Sequence, residues 1–484
     1  MLEALHHVDG RWSDLGRTDR FASLDPATGR ELGHVAEGGA PEMEAAIAAA
    51  RRTFDLTRWS HDPRWRARVL LNMGQRLETS LETLVALLTR ENGKLLGESR
   101  VEVQNAVSMC FYNAGLARNL FGRTVEVEPD IHALLPREAI GVAGIIVPWN
   151  APMGLLFRSL TAALAAGCTA VIKAAPQTAL TTAAALRIAL DDPILPPGVV
   201  NLINESGSAA AEALVASPPV DVISYTGSTH VGKRIMAAAA ATLKRVNLEL
   251  GGCTPVIVGR DADLAVTVPA IVRAGLIFAG QQCVAATRIL VHESRADEAL
   301  ERLRSAVGRV IVGPGSDPRS EMGPLIDTRA RDRVHALVRE SRSAADIVIE
   351  GRIPDTSPTG SAFLTPTLLK VRDRAGRICT EEIFGPVLTI DTFADDEEAL
   401  AIANGTRYGL AASVWSCDGT WAHRMSRRLR AGTVWINSHG RFAPEIEVGG
   451  YKESGLGRLF GQQGLDDFLQ TKHISWPLPP SPYS

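Results

Sequence analysis

Apolar residues change their spacing along the chain, and each change predicts a different kind of element. Over residues 41–118 they recur three and four apart: Pro41-Glu42 opens one amphipathic helix, and further helical turns run through 63–98. Over 124–138 the pattern becomes alternation (Val125, Val127, then Ile131, Ala133, Leu135), which predicts exposed antiparallel strands, an arm suited to pairing with another subunit. From 140 to 250 short Val/Ile runs alternate with Ala-rich helical runs. Strands are predicted at 141–147, 170–173, 199–203, 220–225 and 245–250, with helices at 155–166, 178–190, 208–216 and 231–243 between them. Continuously apolar strands joined by helical crossovers make a parallel, doubly wound sheet whose ligands bind beyond the carboxyl ends of the strands. A second α/β series follows Gly251, with strands expected at 255–258, 288–291, 384–390, 411–415 and 433–436, a last strand at 468–475, and a proline-rich end at 477–480.

The uncharged run from 139 to 157 is long enough to suggest a membrane span, but Pro148, Pro152 and Gly154 break it into strand, turn and helix. With 484 residues, 45% hydrophobic and 22% charged, and a net charge of -3, the composition is that of a soluble globular protein of two or three domains. That balance points to neither nucleic acid nor a membrane surface. The six cysteines (Cys110, Cys168, Cys253, Cys283, Cys379, Cys417) form no C-x-x-C pair and lie beside no His cluster, which predicts reduced thiols in the cytoplasm and no metal site. The amino-terminal residues carry no export signal.

Three residues at strand ends or turns are chemically loaded. Cys283 sits in a polar turn between an apolar helical run and an apolar strand, where a helix-end dipole or a substrate could favour the thiolate; an inert buried cysteine is the commoner case for such a residue alone. Asn150 ends the first strand of the doubly wound series and offers an amide to a developing oxyanion, or simply forms the turn. Glu249, between two leucines at the end of the fifth strand, should have a raised pKa suited to base work, unless it faces outward from an edge. Nucleophile, oxyanion donor and base are the roles an acyl-transfer site needs. No G-x-G-x-x-G appears; the nearest phosphate-binding candidate is Thr226-Gly227-Ser228-Thr229, at a strand-to-helix turn.

These pieces, with Pro148-Trp149-Asn150, Ile172-Lys173, Leu248-Glu249-Leu250-Gly251-Gly252, Gly280-Gln281-Gln282-Cys283, Glu381-Glu382-Ile383-Phe384-Gly385-Pro386 and Gly449-Gly450-Tyr451-Lys452-Glu453-Ser454-Gly455, stand in the order found in the aldehyde dehydrogenase superfamily, which the chain resembles along nearly its whole length. The resemblance implies oxidation of an aldehyde by NAD, with NADP possible, through a Cys283 thiohemiacetal and thioester, Asn150 holding the oxyanion and Glu249 activating water. It implies cofactor contacts from Val147, Pro148, Trp149, Lys173, Gly207, Gly227, Ser228, Leu250, Glu382 and Phe384. A cofactor domain (1–118 and 140–249), a catalytic domain (250–446) and oligomerisation segments (119–139 and 447–484) follow, with a homodimer or homotetramer expected.

Pro176 replaces a glutamate that grips the adenosine ribose in many NAD-preferring members, leaving NADP tolerated. His230, Cys253 and Gln470 also depart from the family pattern. By position, Ala151, Gly154, Leu155, Ile277 and Val448 would line the substrate tunnel, with Gln282 and Val284 beside the nucleophile. These small and aliphatic walls favour a bulky apolar or aromatic aldehyde. Arg158 offers the alternative of a semialdehyde acid, since related enzymes hold a substrate carboxylate there, although Ile277 stands where a second arginine is usual. A CoA-acylating enzyme or an acyl-phosphate reductase would not need Glu249, and a catalytically idle homologue would not be expected to keep all three loaded residues.

Overall fold

The computed structural model describes residues 2–477, so the proline-rich end beyond Pro477 lies outside the described residues. Two long helices, α1 (Leu81–Asn92) and α2 (Leu96–Ala117), meet at a sharp corner. Gly93 makes that corner at φ 86, and a Cβ there would come within 2.7 Å of Pro324 and 2.8 Å of Pro26, so only glycine fits.

The centre of the first large sheet, which has eight strands, is built from β1 (Val142–Ile146), β2 (Thr169–Lys173), β3 (Val200–Ile203), β4 (Val222–Thr226) and β5 (Arg245–Glu249), with His6–Val8 and Arg11–Ser13 added antiparallel beyond β3. All five are parallel, in the order β5-β4-β1-β2-β3. β1 and β2 are buried along their whole length, as continuous apolar runs require when helices cover both faces. Helix α3 (Pro152–Ala166) follows β1, opens on a proline and is capped by Gly167 in the left-handed region; α4 (Thr229–Ala239) follows β4. Because the chain runs outward from β1 to β3 and then returns to β4 on the other side, the strand order reverses between β1 and β4. The crevice at their carboxyl ends is the place where such a sheet receives a ligand.

A second sheet follows Gly251-Gly252. It holds β6 (Pro255–Val258), β7 (Arg288–His292), β8 (Thr367–Val371), β9 (Val387–Phe393), β10 (Ala411–Trp415) and β11 (Thr433–Ile436) in the order β8-β9-β7-β6-β10-β11, with an antiparallel edge strand, Ala345–Ile349, on β8. Helix α5 (Leu264–Leu276) joins β6 to the turn before β7, and α6 (Thr328–Glu340) packs nearby. The strand expected at 384–390 begins three residues later, because Phe384 takes a left-handed φ of 53.

The alternating segment forms an antiparallel sheet, Arg123–Glu128 on Ile131–Leu135, whose other edge takes Ile474–Pro477. Val125, Val127, Ile474 and Trp476 remain exposed on it. The single tail strand expected at 468–475 is two strands, since Lys472 N–H turns to Pro136 O (3.1 Å) between them. Part of the tail does something else: Gly455–Leu456 pairs antiparallel with β5 at Glu249 and Leu248. Among the described residues, no helix is long and apolar enough to cross a membrane, and no cluster of three His, Cys, Asp or Glu side chains is placed to hold a metal.

Candidate active site

A cleft of about 300 Å³ opens at the carboxyl ends of β1, β4 and β5. The loop after β1 supplies Pro148, Trp149 and Asn150, with Leu155 from α3; the end of β4 and its following turn supply Thr226, Gly227 and Ser228; β5 and its following turn supply Glu249, Leu250 and Gly251. The second unit closes the opposite wall with Cys283, Arg333, Glu382 and Phe384.

The Cys283 turn is built on strained backbone. After α5 ends, Phe278 (φ 51), Ala279 (φ 55) and Gly280 (φ 73) are successively left-handed, a conformation that non-glycine residues enter at a cost. A Cβ on Gly280 would lie 2.2 Å from Gly385 O. The turn is held from several sides: Gln281 donates through Nε2 to Phe278 O (2.9 Å) and accepts from Ile326 N–H (3.0 Å). Burial, and then the carboxylates of Glu249 and Glu382, push the Cys283 thiol up to about 12. The helix-end effect expected at this thiol is corrected here. The turn follows the carboxyl end of α5, the negative end of its dipole, which does not favour a thiolate.

Asn150 donates through Nδ2 to Gln281 O (3.0 Å), which ties its amide to the cysteine turn. An amide NH2 has two donors, so this bond leaves a second N–H for an oxygen in the cleft. Glu249 is buried, and its oxygen lies 3.6 Å from Arg158 Nη1. Burial raises the Glu249 pKa, while Arg158, Arg458 and the Gly450 N–H pull it back down. Arg158 Nη2 donates to Thr226 Oγ1 (3.0 Å), so two of the three guanidinium nitrogens face β4 and β5, while Nε is buried without a partner among the described residues. A carboxylate must be ionised to take a proton from water, so base activity falls as pH drops through its pKa. In Arg158→Met, the acid limb of the turnover–pH profile should therefore move to higher pH; an unmoved limb would show that Arg158 does not act on this carboxylate.

The rest of the cleft and the residues near it bring together a helix amino terminus, a buried lysine, an aromatic pair and a carboxylate. Ser228 caps α4, accepting from Val231 N–H (3.3 Å), and presents a helix amino terminus to the crevice. Gly227 has no room for a side chain, because a Cβ would meet Tyr225 Oη at 2.2 Å. Lys173 at the end of β2 is buried with Glu205 4.0 Å away. Trp149 and Phe384 meet edge to face at 5.4 Å, and Glu382 accepts from Gly252 N–H (3.2 Å), its pKa pushed up to about 7 by burial.

The family model described as "Aldehyde dehydrogenase family" matches residues 12–474. The chain belongs to the aldehyde dehydrogenase family. Betaine aldehyde dehydrogenase of Bacillus subtilis is 37% identical over 471 residues, covering 96% of each chain. Phenylacetaldehyde dehydrogenase of Pseudomonas fluorescens is 34% identical over 477 residues, 96% of this chain and 94% of that one. The crystal structure of betaine aldehyde dehydrogenase from Staphylococcus aureus in complex with NAD+ superposes with a TM-score of 0.96 at 33% identity, covering 99% of this chain and 96% of that one. The protein is thus an NAD(P)+-dependent oxidoreductase that converts an aldehyde to its acid by cysteine chemistry.

In this aldehyde dehydrogenase the cleft gathers Cys283, Glu249 and Asn150 with Pro148, Trp149, Gly227, Ser228, Leu250, Glu382, Phe384 and Leu155. Val147, Lys173 and Gly207 lie outside this cleft wall, Val147 buried at the end of β1 and Gly207 exposed beyond β3. Ala151, Gly154, Ile277 and Gln282 are half-buried and also outside it. Val284 is buried, its carbonyl accepting from His439 Nε2 (2.7 Å), and Val448 is buried in a bridge with Leu459. Pro176 opens a short 3-10 turn, His230 is exposed on α4, Cys253 is buried with Sγ 3.5 Å from Cys379 O, and Gln470 pairs with Glu138. Arg333 escaped the sequence reading. It stands on a polar helix and donates to Phe384 O (3.3 Å), which no local motif announces.

Proposed function

We propose that the enzyme oxidises a bulky apolar or aromatic aldehyde, with NAD preferred and NADP accepted. The observation that carries the substrate reading is the placement of Arg158, buried with one nitrogen 3.6 Å from Glu249 and another bonded to Thr226, which engages two of its three nitrogens and disfavours the semialdehyde-acid alternative. The relatives named above act on chemically different aldehydes, so the reading rests on the site. Pro176 places no carboxylate at the start of its turn to repel a 2'-phosphate, which supports tolerance of NADP, while the NAD+ in the Staphylococcus aureus relative supports NAD.

In this reading the Cys283 sulfur bonds to the aldehyde carbon as its proton leaves to a base, and the oxygen becomes an oxyanion held by the Asn150 amide and the Cys283 N–H. When bound, the nicotinamide supplies the acceptor for the hydride that departs the tetrahedral carbon. Glu249 then takes a proton from water, whose oxygen attacks the thioester, and the acid leaves as the thiol is restored. Glu382 and Ser228 face the cleft as cofactor ligands.

The same proposal divides the chain into a cofactor domain (1–118 and 140–249), a catalytic domain (250–446) and oligomerisation segments. The exposed apolar residues of the 123–135 arm and of Ile474–Pro477 support a dimer or tetramer. Six unpaired cysteines support a reducing, cytoplasmic setting. The test is a panel of aldehydes, each with NAD and with NADP, followed by nicotinamide absorbance. Benzaldehyde and phenylacetaldehyde should exceed succinic semialdehyde in kcat/KM by at least about 10-fold, the scale one good pocket contact supplies. A preference for the acid would overturn the substrate reading.

A further inference from the structure

The corner between α1 and α2 lies outside the cleft, yet it grips both segments that carry the proposed chemistry. Lys94 is buried there, and its ammonium has three donors and no acceptor. One bond goes to Glu102, one to Asn150 O (2.8 Å), and the charge sits 3.8 Å from the ring centre of Phe278. Glu102 in turn accepts from Met153 N–H (2.9 Å) and Gly154 N–H (3.1 Å), fastening the start of α3 just beyond Asn150. Asn92 donates to Trp149 O (2.7 Å) on the other side of Asn150. Glu98, from the same corner, accepts from Phe278 N–H (3.0 Å), at the first left-handed residue of the cysteine turn. Phe278 thus has its backbone held by Glu98 and its ring by Lys94.

A buried ion pair brings little net stability compared with apolar packing, so its retention asks for another role. Here its two outward contacts are the backbone of the proposed oxyanion donor and the strained approach to the nucleophile. A fully satisfied buried polar network is rigid, and rigidity at this point keeps the distance between amide and sulfur fixed. We propose that Lys94, held by Glu102, is a positioning residue that sets Asn150 against the Cys283 turn for oxyanion stabilisation. This rests on the reading of Asn150 as the oxyanion donor.

A double-mutant cycle on the holoenzyme tests it, using the single-turnover rate of nicotinamide reduction with the fastest aldehyde of the panel and enzyme in excess. Asn150→Ala alone should slow that step about 100-fold, as loss of one oxyanion donor does; an unslowed step would defeat the oxyanion reading itself, and this proposal with it. Lys94→Met should slow it about 10-fold or more, the scale of a small misplacement, with NAD affinity and Cys283 alkylation rate kept. Lys94→Arg, which retains charge and donors, should recover part of the loss. The double variant Lys94→Met/Asn150→Ala should be no slower than Asn150→Ala alone. Losses that multiply, or a Lys94→Met enzyme as fast as the parent, would refute the positioning role while leaving Asn150 in place. Should Lys94→Met fail to fold, Glu102→Gln removes the charge that holds Lys94 while keeping the side-chain shape, and its cycle with Asn150→Ala is judged by the same criterion.

Discussion

Glu249→Gln is expected to release about one equivalent of reduced nicotinamide per active site at close to the parental rate and then to stall. Steady-state turnover should fall by about 10²- to 10⁴-fold, the usual contribution of a positioned general base. The substitution keeps the shape of a buried side chain and its place at the end of β5, but it cannot take a proton from water. Rapid-mixing absorbance separates the burst from the steady state. Addition of hydroxylamine should restore turnover, because a nucleophile that needs no base can discharge the accumulated thioester. Parental steady-state turnover would remove Glu249 from the hydrolytic step. Loss of the burst would show that the carboxylate is needed before the hydride leaves, as the acceptor of the thiol proton.

Gly280→Ala is expected to damage folding and activity together. The residue sits at φ 73, where an L side chain costs about 1–2 kcal/mol, and the new methyl would lie 2.2 Å from the carbonyl oxygen of Gly385. Backbone, unlike the end of a flexible side chain, cannot turn aside. Relief requires either the cysteine turn or the Gly385-Pro386 segment to move, and a displacement of this kind three residues from Cys283 should cost about 10²-fold in kcat/KM. Thermal inactivation measured beside Gly97→Ala makes the comparison, since Gly97 has open space around its Cβ direction. Equal inactivation and kinetics in the two variants would show that the turn accommodates a side chain.

The chemistry of this site was legible where it sits at the ends of regular elements. Asn150 follows β1, whose apolar run marks its own limit, Glu249 closes the alternating strand β5 before Gly251-Gly252, and Thr226-Gly227-Ser228 stands where a strand yields to a helix. The central sheet could be read for the same reason: strands buried on both faces leave a continuous apolar signature. β8 and the edge strand Ala345–Ile349 were not anticipated, although Gly351, Pro354, Pro358, Gly360 and Pro366 punctuate the chain between them; the edge strand is only partly buried and carries no long apolar run. Side-chain direction was not legible at all. Arg158 occupies a position from which a guanidinium can reach substrate, and only the fold shows it turned to Glu249 and Thr226. Lys94 lies inside the stretch 63–98 that was expected to be helical, and only the fold shows a corner there, closed over by Asn150, Phe278 and Glu102. The surroundings of the Cys283 thiol were not legible for the same reason, since burial and two neighbouring carboxylates are properties of the assembled cleft.

That raised thiol pKa has a chemical corollary. Peroxides attack the thiolate, and burial together with the neighbouring Glu249 and Glu382 carboxylates disfavours that form of Cys283. While the cleft remains as described, the sulfur therefore enters the sulfenic and sulfinic ladder only slowly. Burial of the sulfur, with the two carboxylates beside it, is thus expected to slow inactivation of the resting enzyme by peroxide, which residual activity after timed exposure would measure.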